Sequence, residues 1–386
     1  MSAAAYDFNP SLALLLLGAA LALLPLLWVG WRHRHASPAE RWRALALITL
    51  FLTFDLVLVG AFTRLTDSGL GCPDWPGCYG SVSPLGAHHE INAAQSAMPT
   101  GPVTRGKAWI EMLHRYLATG VGALITVLAI AAWVQSRRQS LMVSPWWATA
   151  TWIWVCLQGA FGALTVTMKL YPAIVTAHLL GALGLLGLLA VQSQLSVDRR
   201  LKLSPALSLG AMLVLAVCMV QIALGGWVST NYAVLACREF PTCQGEWWPA
   251  MDFARGFAVV RELGMGPDGQ YLPFSVLTAI HVVHRMGAAV VLVAVGALAW
   301  RLWISRDAEQ RRWAQALVIV LLWQLVTGLS NVVLDWPLVA AVGHTGGAAA
   351  LVVVLTMMIT RARRSNTPLG APAATPTTPR VARAAS

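Results

Sequence analysis

Residues 172–195 read PAIVTAHLLGALGLLGLLAVQSQL, a run without a single Asp, Glu, Lys or Arg. A helix of this length, at a rise of about 1.5 Å per residue, crosses a hydrocarbon layer of about 30 Å. Inside that layer every backbone N–H and C=O must find its partner within the segment, which a helix achieves. The run therefore predicts a transmembrane helix that carries one imidazole, His178, to membrane depth.

Comparable apolar stretches recur on both sides of this one. Apolar residues make up 57% of the 386 residues and charged residues only 11%, which is far from the balance of a water-soluble globular chain. The sequence therefore predicts an all-α membrane protein embedded in the lipid bilayer. We expect nine spans, at residues 11–31, 43–62, 108–135, 146–167, 172–195, 205–229, 273–303, 313–334 and 337–360.

The formal net charge of +11 does not indicate nucleic-acid binding, because the cations are placed as membrane topology requires. By the positive-inside rule they mark cytoplasmic connections, which predicts a multi-pass protein of the bacterial inner membrane with a periplasmic N-terminus and a cytoplasmic C-terminus. The first basic cluster follows the first span instead of preceding it, so we expect a retained helix and not a secretory signal. The clusters occupy every second connection, at 32–43, 137–138, 199–202, 301–312 and 361–364.

The two halves of the membrane region can be laid on each other. In each half a span with a glycine-containing turn at its end (59–61 and 224–226) precedes a cysteine pair, a His-Arg dipeptide and a later lone histidine. Both halves run in the same direction, so the sequence predicts two pseudo-symmetric four-helix transmembrane bundles in a parallel repeat. The predicted units are an extra N-terminal transmembrane helix with a basic cytoplasmic linker (1–42), the N-terminal bundle (43–199), the C-terminal bundle (200–364) and a disordered cytoplasmic tail (365–386).

Four histidines combine a membrane position with a partner in the repeat: His114, His178, His284 and His344. Each lies about 6 to 11 positions from the outer end of its span, roughly 9 to 16 Å deep. Two imidazoles on facing helices can supply both axial ligands of a heme iron, whereas zinc requires three or four ligands. The pattern predicts one heme in each bundle, although any single membrane histidine is as readily explained by helix packing.

An arginine directly follows two of these histidines. We expect Arg115 and Arg285 to contribute to heme binding by pairing with propionates. The alternative is that they extend toward the membrane interface, where a long cationic side chain reaches water.

The halves differ at one position on the face of the ligand histidines. Glu111 precedes His114 by three residues, and His281 precedes His284 by the same spacing. Residues three apart share a helical face, so a carboxylate is expected in the N-terminal site, where it can move protons or stabilise positive charge. This predicts that the N-terminal bundle is the reacting half and Glu111 its catalytic residue; the alternative is a simple interfacial charge.

Two cysteine pairs lie in connections predicted to be external, where thiols oxidise. Their spacing permits a short-loop disulfide in each case, which predicts the pairs Cys72–Cys78 and Cys237–Cys243. A structural staple and a redox-active loop are both compatible with this pattern.

Together the motifs resemble the heme A synthase family of cytochrome oxidase assembly. They are Gly60-Ala-Phe-Thr-Arg-Leu-Thr-Asp-Ser-Gly69, Glu111-Met-Leu-His-Arg115, Thr176-Ala-His178, His281-Val-Val-His-Arg285 and Gly343-His344. The resemblance implies oxidation of the C8 methyl group of heme O to a formyl group by successive hydroxylations, giving heme A for cytochrome c oxidase. It implies heme O as substrate and heme A as product in the N-terminal bundle and heme b in the C-terminal bundle. It further implies a need for Glu111 and assistance from the first cysteine pair.

The partners expected from this resemblance are heme O synthase, cytochrome oxidase assembly factors and an electron-transfer protein, with a homo-oligomer as a further expectation. Two rival functions fit the four histidines equally well. One is a diheme cytochrome b that carries electrons, and the other is a heme carrier without chemistry. Neither rival accounts for Glu111 opposite His281 or for the paired cysteines.

Overall fold

The computed structural model describes residues 9–138, 144–195, 197, 201–266 and 269–366. Within these residues the regular secondary structure is helical, with no β-strand, which confirms the all-α prediction. Nine helices in the described part of the chain are long and apolar enough to cross a membrane, and they coincide with the nine predicted spans. The helices are α1 (Asn9–Arg32), α2 (Pro38–Leu65), α3 (His88–Ala97), α4 (Arg105–Arg137), α5 (Pro145–Thr167), α6 (Pro172–Leu195), α7 (Pro205–Thr230), α8 (Phe253–Gly256), α9 (Phe274–Trp303), α10 (Ala308–Val333) and α11 (Leu338–Asn366).

Several helix starts follow from local capping chemistry. Before α2, the Ser37 side chain accepts from the Glu40 N–H while the Glu40 carboxylate accepts from the Ser37 N–H at 2.8 Å, a reciprocal capping box. The hydroxyls of Thr104 and Ser204 cap α4 and α7 by accepting from the N–H groups of Lys107 and Leu207, without the reciprocal bond. The first unpaired N–H groups of these helices therefore have partners where the chain enters the membrane.

The long helices pack in two rings of four. In the first ring α2, α4, α5 and α6 contact one another in turn, and in the second α7, α9, α10 and α11 do the same. The rings meet where α2 and α6 face α11 and α7. Helix α1 stands outside both rings and packs on α4, where a Cβ added to Gly18 would lie 2.8 Å from the backbone of Thr119. Only a glycine permits so close a helix crossing.

A polar clamp joins the outer ends of α2 and α7. Arg64 donates from Nη2 to the Ser229 carbonyl at 2.7 Å and from Nη1 to the Tyr232 hydroxyl at 3.0 Å. The same hydroxyl donates to Asp67 Oδ1 at 2.7 Å. Asp67 and Tyr232 both have positive φ angles, 51° and 54°, so each turns the chain sharply just after its helix ends. The clamp fixes the register between the two halves.

The structure differs from the sequence-based expectations in the connections. The predicted glycine turns are wrong, because Gly60 lies inside α2 and Gly225 inside α7. His88 and His89 are exposed, and they begin the helix α3. The predicted tail begins inside α11, which continues through Asn366, and residues 367–386 lie outside the described residues. Residues 199 and 200 of the third basic cluster also lie outside the described residues.

Candidate functional site

The four predicted ligand histidines each pack against a glycine of a neighbouring helix. A Cβ built on Gly60 would lie 2.9 Å from Cε1 of His114, and one built on Gly225 would lie 2.9 Å from Cε1 of His284. These distances are too short for a real Cβ, so the glycines let α2 and α7 approach the imidazole edges. The Cε1 edge of each imidazole therefore packs directly against a helix backbone.

The same relation holds for the second histidine of each ring of helices. A Cβ on Gly162 would lie 3.6 Å from Cε1 of His178, and one on Gly328 would lie 3.1 Å from Cε1 of His344. All four imidazoles are half-buried. The repeated histidine–glycine pairing shows that the two halves build their histidine positions in the same way.

The histidines form two pairs. His114 lies within electrostatic range of His178, and His284 lies within the same range of His344. Among the described residues no group of three or more His, Cys, Asp or Glu side chains is placed to hold a metal ion. Two imidazoles per bundle suit the two axial positions of a heme iron better than a bare metal ion, which takes more protein ligands.

The pairs differ in what contacts Nδ1, the ring nitrogen left free when Nε2 binds a metal. Gln221 Nε2 lies 3.0 Å from Nδ1 of His284, and Thr327 Oγ1 lies 3.1 Å from Nδ1 of His344. Nδ1 of His114 and Nδ1 of His178 are buried without a hydrogen-bond partner. A partner at this atom holds a ligand ring in one orientation and raises its basicity. The C-terminal pair is therefore the more firmly oriented of the two.

A second amide strengthens this difference. With its oxygen turned to accept from the Ala348 N–H, Gln324 places its nitrogen 2.9 Å from Nδ1 of His344. Gln158 occupies the matching position in the N-terminal half, yet its Oε1 is buried without a partner, like Nδ1 of His178. Unsatisfied amide oxygens occur in both halves, at Gln158 and Gln221, but only the first pair leaves Nδ1 of both histidines without a partner.

Glu111 is 3% exposed and is held by two donors. Arg115 Nη2 donates to its Oε1 at 2.5 Å, and the Cys72 N–H donates to its Oε2 at 2.8 Å. The Glu111 carboxylate therefore contacts the first cysteine loop, and Glu111 lies about one helical turn before His114. Gly71 makes this approach possible, because a Cβ there would clash with the backbone of α4 at Lys107.

Both His-Arg arginines reach the cysteine loops. Nη1 of Arg115 contacts the carbonyls of Asp74, Pro76 and Gly77 at 2.9, 3.1 and 2.5 Å. Arg285 donates to the carbonyls of Thr242 and Cys237 at 3.0 and 2.9 Å, and its Nε is buried without a partner. The pairing of these arginines with propionates stays a prediction. In the structure both arginines bind carbonyl groups of the cysteine loops.

The C-terminal half has no carboxylate at the position of Glu111. His281 is 5% exposed there, and its Nδ1 lies 2.9 Å from the Ala233 carbonyl. The asymmetry expected from the sequence is therefore present in three dimensions. An acid that contacts the loop in one half is replaced by an imidazole that contacts a short 3-10 turn, Ala233–Leu235, in the other.

Both predicted cysteine pairs are disulfides. The S–S distance is 2.08 Å for Cys72–Cys78 and 2.00 Å for Cys237–Cys243, and all four cysteines are buried. Cys72 also supplies the N–H that holds Glu111. Whether the disulfides are only structural or also redox-active stays open.

Sequence reasoning missed the residues that surround the ligands. Gln221 and Thr327 have no polar counterpart in the first half, so the repeat itself did not reveal them, although a polar side chain inside a predicted span is a usable signal. Arg261 was missed as well, because it lies in a connection between predicted spans, where a cation is ordinary. Its burial, at 3% exposure, becomes visible only in the structure.

The fold and these contacts define a multi-pass helical membrane protein in which two helix rings each present a pair of histidines beneath a disulfide loop. The chain belongs to the COX15-CtaA family, whose model, described as cytochrome oxidase assembly protein, matches residues 40–356. Helix α1 precedes the matched region. The chain thus combines the family's region with one further apolar helix.

Three curated relatives show how far the similarity extends. Heme A synthase of Shewanella oneidensis is 39% identical over 317 residues, which cover 80% of this chain and 92% of that protein. Heme A synthase of Rhizorhabdus wittichii is 30% identical over 350 residues, covering 83% and 95%. Heme A synthase of Halalkalibacterium halodurans is 28% identical over 315 residues, covering 78% and 91%. In each case nearly the whole relative is matched.

Proposed function

We propose that this chain is a heme A synthase, a membrane oxidoreductase that converts the C8 methyl group of heme O into a formyl group. The observation that carries the proposal is the buried Glu111, held by Arg115 and the Cys72 N–H near His114. Electron transfer alone does not explain why a carboxylate stands in one half and the C-terminal half has His281 at the matching position. The name of the Shewanella relative agrees with this reading.

The division of labour follows from the contacts of the two histidine pairs. Hydrogen-bond partners at Nδ1 of His284 and His344 suit permanent ligation, because they keep each ring in place. His114 and His178 lack such partners, which suits a heme that enters as substrate and leaves as product. We therefore assign heme O and heme A to the N-terminal bundle (43–199) and a resident heme b to the C-terminal bundle (200–364).

Heme O, when bound, supplies the methyl carbon that is oxidised and a conjugated ring that delocalises charge developing on that carbon. Each carboxylate oxygen of Glu111 accepts one hydrogen bond and retains a further lone pair. The carboxylate can therefore accept a proton released in the reaction or stabilise positive charge near it. Arg115 and the Cys72 N–H fix its direction and compensate its charge.

The remaining expectations complete this proposal. The basic connections face the cytoplasm, so the cysteine loops of both helix rings face the periplasm. The N-terminus is then periplasmic and the C-terminus cytoplasmic. Heme O synthase delivers the substrate and an electron-transfer protein takes part in the oxidation, while assembly factors or a second copy of the chain are further expected partners.

Pigment analysis tests the proposal. Cells that make heme O but lack their own heme A synthase should accumulate heme A when they express this chain. Glu111→Gln should still bind heme yet lower heme A at least about a hundredfold, the usual contribution of a proton-transfer group. Glu90→Gln, a change of an exposed carboxylate on α3, is the matched control.

Two outcomes would contradict the proposal. If the unmodified chain yields only heme B and heme O, a diheme electron carrier or a heme carrier is the better description. If Glu111→Gln makes as much heme A as the unmodified chain, the assignment of the reacting residue is wrong.

A further inference from the structure

Arg261 is a buried cation whose charge is not matched by a protein carboxylate. It lies in the connection between α7 and α9, is 3% exposed and takes part in none of the ion pairs among the described residues. Its Nε donates to the Ala258 carbonyl at 3.1 Å and its Nη1 to the Met265 carbonyl at 3.5 Å. Its Nη2 is buried without any partner. A buried guanidinium with an unpaired N–H group destabilises the folded protein unless an anion binds to it.

The surroundings of Arg261 place it at the junction of the two halves. Its guanidinium carbon lies 5.4 Å from the ring centre of Trp227, at the outer end of α7. Burial lowers the pKa of Arg261, whereas the nearby Tyr171, in the turn before α6, raises it. Ala173, in the first turn of α6, packs against the same cluster as Trp227, and that cluster also contains Val276 and Ile280 of α9. The cation therefore lies near the starts of both α6 and α9.

Helix α6 carries His178, six residues after its first residue, which is roughly 9 Å along the axis. The neighbouring part of α7 closes around this segment: a Cβ on Gly226 would lie 3.2 Å from Thr176 and from Leu179. A porphyrin held at His178 would keep its two propionates out of the hydrocarbon core, at the nearer, outer end of α6. Arg261 lies at that end.

We propose that the guanidinium of Arg261 binds a propionate of the heme held in the N-terminal bundle. This inference rests on the heme site proposed above for His114 and His178. The cation comes from the second half of the chain and the heme from the first, so the propionate links the halves. Arg115 is less suited to this role, because both of its terminal nitrogens already donate to the cysteine loop and to Glu111.

A carboxylate is the ligand that this site favours. The planar guanidinium presents parallel N–H groups that match a carboxylate. A lipid phosphate is a poorer match, because its acyl chains need an opening to the bilayer and Arg261 is almost fully enclosed.

The test compares hemin with hemin dimethyl ester, in which both propionates are uncharged. A full-length protein with His284→Ala and His344→Ala keeps only the first histidine pair, and heme binding is titrated in detergent through the Soret band. We expect hemin to bind roughly ten- to a hundredfold more tightly than the ester, the range for a hydrogen bond to a charged group. Arg261→Gln should remove most of this difference by weakening hemin alone.

Three controls make the result specific. Arg261→Lys keeps the charge and should retain part of the preference for hemin. Arg255→Gln changes an exposed arginine of the same connection and should retain all of it. In the reciprocal protein, with His114→Ala and His178→Ala, Arg261→Gln should leave hemin binding unchanged.

The proposal is overturned if the first-pair protein does not discriminate hemin from its ester, a comparison that needs no change at Arg261. It is also overturned if Arg261→Gln weakens the binding of hemin and of the ester equally, because that indicates a structural role. If Arg261→Gln weakens hemin binding only in the protein that keeps His284 and His344, the propionate belongs to the other heme and the proposal is wrong. A first-pair protein that binds neither probe would instead contradict the proposed heme site itself.

Discussion

Replacing Arg115 by glutamine should destabilise the heme-free protein much more than the matching change at Arg285. Arg115 is 8% exposed, contacts three loop carbonyls and pairs with Glu111. Arg285 contacts only two carbonyls, and no ion pair includes it among the described residues. The two substitutions therefore remove the same guanidinium from two different electrostatic settings.

The expected magnitudes follow from these contacts. Arg115→Gln leaves the Glu111 carboxylate buried without its cation, which costs about 3–5 kcal/mol. Arg285→Gln loses two charge-assisted hydrogen bonds to carbonyls, which costs about 1–3 kcal/mol. The double change Glu111→Gln with Arg115→Gln removes both charges, so it should cost less than the sum of the two single changes.

Reversible denaturation in mixed micelles, followed by tryptophan fluorescence, measures these differences on the heme-free protein. Equal losses for Arg115→Gln and Arg285→Gln would refute the reasoning. A double variant whose loss equals the sum of the single losses would do so as well, because it would show that Glu111 and Arg115 do not interact.

Three further changes test other contacts. Gly60→Ala should lower low-spin heme absorbance of the first site, because its Cβ would lie 2.9 Å from His114, whereas Gly122→Ala, with nothing within 4 Å, should not. Gln221→Leu removes the hydrogen-bond partner of His284 Nδ1 in the second site. It should speed heme loss from that site about ten- to a hundredfold, measured by transfer to apomyoglobin. Partial burial raises the pKa of Tyr232 above its usual range, so stability should fall as the pH rises above about 10. Tyr232→Phe should reduce that fall in a pH-dependent unfolding series, and the remainder comes from other tyrosines such as Tyr79, whose pKa is also raised by burial.

The number of spans and the histidine positions could be predicted because each depends on local chemistry. An apolar run of sufficient length has few alternatives to a membrane helix, and an imidazole inside such a run is conspicuous. The disulfides could be predicted from the close spacing of two cysteine pairs in connections between spans. The asymmetry between Glu111 and His281 was visible once the halves were aligned.

The contacts between distant segments could not be predicted in this way. Gly60 was expected in a turn, because a glycine near the end of a span usually marks one, yet its role depends on how closely α2 approaches His114. The engagement of Arg115 with loop carbonyls depends on how the cysteine loop folds back over α4. The burial of Arg261 depends on how α6, α7 and the connection between α7 and α9 pack together.

The heme content of the purified full-length protein tests the central claim most directly. The account predicts two low-spin hemes per unmodified chain. The double variant His114→Ala with His178→Ala should hold one heme, and so should the double variant His284→Ala with His344→Ala. The variant with all four changes should hold none. A low-spin Soret band that survives in the fourfold variant would contradict it.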